Sequence, residues 1–185
     1  MREPLESGEV RISRARTQAV FPARFQLIAA MNPCPCGYHG NNDDRCRCTV
    51  DQVRRYRDRI SGPMLDRIDM HVPVRALRQG ELHSKNEGES STHIRERVEL
   101  TRARQINRQG KANNLLTAPE LEKHCQLNDG DKSLLEHAIT KMGLSTRAYH
   151  RVLKVARTLA DMQEKIHPDT ENISEALSYR TLDRQ

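Results

Sequence analysis

At 185 residues with a net charge of +6, the chain can hold one good-sized domain or two small ones. Aromatic residues make up 3% and Trp is absent, which argues against single-strand binding on a platform of stacked rings. No run approaches the roughly 18–20 apolar residues needed to cross a bilayer and no signal-peptide core is present, so a cytoplasmic setting without membrane contact is expected; there, five cysteines read as thiols or metal ligands rather than disulfides.

The first ten residues, MREPLESGEV, have a short helical flavour ending at Gly8, with no cap before them, like the tail of an element begun elsewhere. Residues 11–26 follow as two β-leaning pieces, RISRA and AVFPARF, which predict a hairpin around Thr17 and Gln18. Arg11, Arg14, Arg16 and Arg24 decorate it, either as a solvated surface or as a phosphate-contacting loop. From Phe25 to Met31 the chain is apolar without alternation, the signature of a strand covered on both faces in a parallel sheet. Asn32 would then sit at the C-terminal tip of a central strand, where open α/β sheets bind ligands; it also suits a plain turn before Pro33.

Cys34, Cys36, Cys46 and Cys48 come next, as two Cys-x-Cys pairs separated by nine residues rich in Gly and Asn. Four thiolates satisfy a tetrahedral Zn2+ and leave no open position, so such a site would be structural. The tighter pairs depart from the usual Cys-x-x-Cys knuckle, His39 is a substitute ligand, and four unligated thiols are the simpler alternative. Thr49 and Gln52 form a capping box that opens a helix with Val53, Tyr56, Arg57 and Ile60 on one face. Ser61-Gly62-Pro63 ends it, and Ile68, Met70, Val72 and Val74 alternate as a strand, placing Arg67 on a rigid corner before it.

Residues 75–92 are polar and aperiodic, a linker between a first domain over 1–74 and a second over 93–185. The second is all helical. A charged helix over 93–109 carries Ile94, Val98 and Ile106; Thr117 and Glu120 form another capping box. Helices are expected over 131–142, stopped by Gly143, and from Ser145 onward, with Ala148, Val152, Val155, Ala156 and Leu159 as the buried stripe. Pro168 separates a last short helix bearing Ile173, Ala176 and Leu177. Arg147 lies in the first turn of its helix, where a cation opposes the dipole; it is either a solvent-facing side chain or one with a role beyond helix stability. Cys125 reads as a packed thiol. No Gly-x-x-x-x-Gly-Lys-[Ser/Thr] loop occurs, and no apolar strand ends in paired acidic residues.

Taken in order, REPLESGEVRISRA, FPARFQLIAAMNPCPCGY, RISGPMLDRID and LSTRAYHRVLKVARTLADM resemble the magnesium-chelatase-related AAA+ ATPases of the YifB/ComM-like competence group of bacteria. The resemblance spans nearly the whole chain. It implies the C-terminal part of an AAA+ α/β core followed by a helical lid bundle, within a longer protein whose upstream part carries Walker A and Walker B. ATPase activity with ATP and Mg2+ is then expected of the full-length protein only. By the same resemblance Asn32 matches sensor 1, which orients the attacking water. Arg67 matches the arginine finger reaching a neighbouring subunit's ATP, and Arg147 matches sensor 2 on the lid. The stretch from Arg11 to Arg24 resembles a pore hairpin facing DNA. The implied assembly is a homo-hexamer, and the implied task is helicase-driven branch migration in natural transformation. A protein-remodelling chelatase-like subunit and a non-enzymatic, zinc-stabilised nucleic-acid-binding module are the competing expectations.

Overall fold

A computed structural model describes residues 2–14, 17–40, 45–74, 88–180 and 182. The chain divides into two compact units, Met1–Ile68 and Asp69–Gln185. It is mostly helical, with one two-stranded sheet among the described residues.

The first unit opens with α1 (Arg2–Ser7), which stops at Gly8, where the Gly8 amide donates to the Pro4 carbonyl at 2.9 Å. Strands β1 (Glu9–Arg14) and β2 (Thr17–Pro22) then pair antiparallel. The expected hairpin is present, but Arg14 pairs with Thr17, so Thr17 and Gln18 are strand residues rather than the turn. Because side chains alternate along a strand, Val10, Ile12, Ala19 and Phe21 share one face and Glu9, Arg11, Ser13, Gln18 and Val20 the other. Helix α2 (Val50–Arg57) begins with the anticipated box: Thr49 Oγ1 accepts from the Gln52 amide and Gln52 Oε1 accepts from the Thr49 amide. Val53 is its buried anchor, and Arg57 turns inward to donate to the Pro33 carbonyl at 3.3 Å. The short α3 (Gly62–Leu65) carries Pro63 in its first turn.

Two expected strands are not strands. Phe25–Met31 runs as irregular chain with Ile28 85% exposed, and 68–74 is likewise irregular. A fully covered strand needs hydrogen-bonded neighbours on both sides, and no strand among the described residues pairs with either segment. The α/β character expected for this half is therefore reduced to one hairpin and short helices.

The second unit is built on helices α4 (Ser91–Gln109), α5 (Ala118–His124), α6 (Asp129–Met142), α7 (Thr146–Met162) and α8 (Thr170–Ser178), with a 3-10 turn over Asn113–Leu115. Of the expected linker, residues 75–87 lie outside the described residues. Caps explain the boundaries. Ser90, Asn128 and Ser145 side chains each accept from the amide three residues on, while Thr117 with Glu120 and Asp169 with Asn172 complete capping boxes. Asn128, not a residue nearer Asp131, starts α6. Gly143 ends it at φ +63, the left-handed conformation that costs glycine least.

Helix α7 packs against α4, α5 and α8. Its Val152, Leu153 and Ala156 meet Leu121, Leu135, Ile173, Ala176 and Leu177 in one apolar core. Val155 and Leu159 only partly join it. Cys125 is buried there, and burial pushes its thiol up to about 11. On α4, Ile94, Val98 and Ile106 face solvent instead, and Thr101 and Gln105 are the buried positions. That helix docks through polar groups: Arg104 reaches the Asp161 carbonyl at 3.0 Å, and Gln105 Oε1 accepts from the Asn113 amide at 3.0 Å.

Candidate functional site

The four cysteines of the first unit converge. Cys34 and Cys36 Sγ atoms are 3.2 Å apart, Cys36 and Cys46 3.7 Å, and Cys34 and Cys46 3.9 Å. All four sulfurs, Cys48 included, lie within 4.8 Å of one another. Local backbone sets this up: the Gly37 amide donates to the Cys34 carbonyl at 3.0 Å, closing a turn that needs Gly37 at φ +83. Thr49, immediately after Cys48, locks the second pair to the start of α2.

A Zn–S bond of about 2.3 Å puts tetrahedral ligand sulfurs about 3.8 Å apart, so this donor set has the size and chemistry for such an ion. The protonation pattern agrees. Burial opposes ionisation of Cys34, yet hydrogen bonds from Cys36 and from the His39 and Cys36 backbone bring its thiol down to about 6. The Tyr38 amide lowers Cys36. The Cys36 amide favours the Cys48 thiolate, but sharing the cluster with Cys36 and Cys34, together with burial, pushes it up to about 12. Without a cation the cluster thus accommodates some negative charge and resists more; a divalent ion at its centre reverses that resistance. Four cysteine side chains here could hold a metal ion. His39 Nδ1 stands 4.0 Å from Cys46 Sγ, beside the set of four rather than in it.

Asn32 is exposed, two residues before the first cysteine, and a Cβ on Gly37 would lie 3.8 Å from its carboxamide. The cysteine turn therefore backs directly on Asn32. Arg67 sits on a helical corner just after α3, where its amide donates to the Met64 carbonyl at 3.0 Å. Its side chain is only 10% exposed. Nε donates to Glu6 Oε2 at 3.1 Å, a second guanidinium nitrogen meets the same oxygen, and the third reaches the Pro63 carbonyl.

In the second unit Arg147 is exposed at the second position of α7, just after the Ser145 cap. One turn on, Arg151 pairs with Asp69. The hairpin arginines are not gathered on one surface. Arg11 shares a face with Glu9 and pairs with it at 3.3 Å, Arg14 points to the opposite face, and the Arg24 stem lies over Gly8. Arg16 lies outside the described residues.

Two features were not anticipated from sequence. One is the Glu6–Arg67 pair, whose members are 61 residues apart, so no local spacing could signal it. The other is a buried ionic cluster centred on Asp161, which is 2% exposed. It accepts from Arg108 through both carboxylate oxygens, from Arg157 at 2.7 Å and from Asn113 Nδ2 at 2.8 Å. Arg157 also binds the carbonyls of Lys165 and Ile166 at 2.8 and 2.6 Å, tying down the turn after α7. Burial disfavours the Asp161 carboxylate, but these donors outweigh it and hold the group below its ordinary value. The available signal was faint: Arg157 and Asp161 are four apart beside the Val152–Ala156 stripe, a spacing that usually marks a surface pair.

Comparison with known proteins covers both units. Residues 1–82 match the family described as magnesium chelatase, subunit ChlI, and residues 88–180 match magnesium chelatase, subunit ChlI C-terminal. The whole chain is 48% identical to the competence protein ComM of Haemophilus influenzae, covering 36% of that protein. It is 45% identical to the uncharacterized protein YifB of Escherichia coli, again over 36% of its length. Over 97% of the chain it is 37% identical to the uncharacterized protein Rv2897c of Mycobacterium tuberculosis, covering 36% of that protein. The chain spans about a third of the length of these relatives.

Proposed function

Because the chain belongs to the magnesium-chelatase-related family, in its ComM/YifB-like group, we propose that it forms the C-terminal portion of an AAA+ ATPase ring that remodels DNA in the cytoplasm. Residues 1–74 complete the ATPase core and 93–185 form its helical lid. The observation that carries this reading is the kinship of the whole chain to about a third of a competence protein, with Asn32, Arg67 and Arg147 all falling on family-matched stretches. The nucleotide-binding loops would come from outside this chain, where ATP and Mg2+ are held; bound Mg2+ neutralises phosphate charge.

The residues of this chain have separable roles. Asn32 offers a carboxamide that positions the attacking water. Arg67, released from Glu6 on assembly, would place its guanidinium against the charge that develops as the γ-phosphoryl leaves a neighbouring subunit's ATP. Arg147, exposed at the start of α7, contacts the γ-phosphate from the lid and couples nucleotide state to lid angle. Cys34, Cys36, Cys46 and Cys48 would hold Zn2+, and the four thiolates so joined would fix the loop behind Asn32. Arg11, Arg14, Arg16 and Arg24 carry the hairpin's contacts to DNA in a hexameric ring.

The test uses the full-length protein. It should hydrolyse ATP, faster with DNA present, and Arg67→Ala should lower kcat by about 10³-fold or more while nucleotide binding persists. Hydrolysis that survived this change would overturn the role of Arg67. Turnover indifferent to DNA would instead favour a protein client.

A further inference from the structure

Residues 45–59, RCRCTVDQVRRYRDR, hold six arginines against two aspartates, and with the preceding Asp43 and Asp44 counted the stretch 43–59 still carries +2 of the chain's +6. No Lys occurs in the first 68 positions, so the fixed positive charge there is all Arg. One of the six is structural, since Arg57 turns inward to the Pro33 carbonyl. The other five, Arg45, Arg47, Arg54, Arg55 and Arg59, are exposed. Arg45 lies over the Tyr38 ring at 4.6 Å, and Arg47 stands between two cysteines of the cluster. Arg55 and Arg59 are one turn apart on the α2 surface, because the chain continues in helical turns past α2, with the Arg59 amide donating to the Tyr56 carbonyl at 3.4 Å.

Helix stability accounts for part of this only. Cations in the last turn of α2 favour its dipole, which covers Arg54, Arg55 and Arg57. It does not cover Arg45 and Arg47 on the cysteine loop, nor Arg59 beyond the helix end. On α2 and the turn after it, Arg54 and Asp58 approach only to 3.9 Å, with side chains 79% and 58% exposed, which makes a weak pair in solvent. The result is a guanidinium-rich surface on a loop that four thiols can hold rigid.

We propose that this face, the cysteine loop with α2, is a DNA phosphate-backbone contact surface separate from the β1–β2 hairpin. Guanidinium is the group suited to it, being planar, permanently charged and able to bind phosphate through paired donors. Against five exposed arginines the face has two aromatic rings, Tyr38 and Tyr56, so phosphate contact rather than a platform for base stacking is its main chemistry. Binding through phosphate contacts is steeply dependent on salt. The inference rests on DNA being the client of the full-length protein.

The test measures full-length protein binding to a fluorescent DNA duplex across a salt series. The triple variant Arg54→Ala, Arg55→Ala, Arg59→Ala should flatten the slope of log K against log salt by about 2 to 3, roughly 0.9 per lost phosphate contact. Affinity should fall at least tenfold at low salt, DNA-stimulated ATP turnover should fall with it, and DNA-independent turnover and metal content should not change. The triple Lys variant should recover most of the slope. An unchanged slope in the Ala variant, with the wild type still binding DNA, would overturn this surface and leave the DNA reading intact. Wild-type protein that bound no DNA at any salt concentration would overturn both.

Discussion

In the first unit Cys34 and Val53 are the buried apolar residues among those described, while Phe21, Phe25, Ile28 and Val50 lie open. In the second, a continuous core from Leu116 to Leu177 is closed over by five capped helices and tied at one end by the Asp161 cluster. One unit is held by local devices, namely a hairpin, a thiol cluster, a capping box and the Glu6–Arg67 pair. The other is held by burial. Among the described residues the first unit buries little apolar surface, so its local contacts, the thiol cluster among them, account for more of its order within this chain than burial does.

Metal removal should separate the two units most sharply. Structural zinc sites contribute about 10–16 kcal/mol of apparent binding energy to folding. Chelation, or Cys34→Ser, should therefore make amides across 34–60 exchange rapidly while those of α7 stay protected, as read by hydrogen exchange. Equal loss in both units, or in neither, would break the comparison.

Asp161→Ala comes next. It leaves Arg157 buried without its carboxylate, a class of change that costs about 3–5 kcal/mol. Denaturant melts of the second unit should show that loss, with the metal content of the first unchanged.

The smallest effect is expected at the surface of the second unit, in acid. Lys111 and the Thr117 amide and hydroxyl hold the Glu120 carboxyl at about 2, below its ordinary 4.5. A depressed carboxyl stabilises the folded state above its unfolded value and loses that contribution as pH falls through the folded one. Stability of the second unit should thus decline between pH about 4.5 and 2, less steeply in Glu120→Gln. A variant as acid-sensitive as the wild type would remove Glu120 from the account.

The same division governs what could be read from sequence. Thr49 with Gln52, Thr117 with Glu120, Ser145 and Gly143 all announce helix ends, because capping is a contact between residues three or four apart. The cysteine cluster was legible because its ligands lie within fifteen positions. Phe25–Met31 reads as a covered strand, yet a strand is completed by distant partners, and the described residues provide none. Ile94, Val98 and Ile106 look like a core face, but α4 docks through Arg104, Gln105 and Arg108, whose partners lie up to 60 residues away. Arg67 could be placed on its corner by Gly62-Pro63, whereas its seat on Glu6 could not.

In the proposed ring, Asn32 would serve the ATP bound by its own subunit and Arg67 the ATP of the next. Full-length Asn32→Ala and Arg67→Ala proteins should each be nearly inactive alone. Mixed in equal parts into head-to-tail rings, they should regain turnover, because about a quarter of the interfaces would pair an intact Asn32 with an intact Arg67. Mixed rings as inactive as either variant alone would contradict the claim.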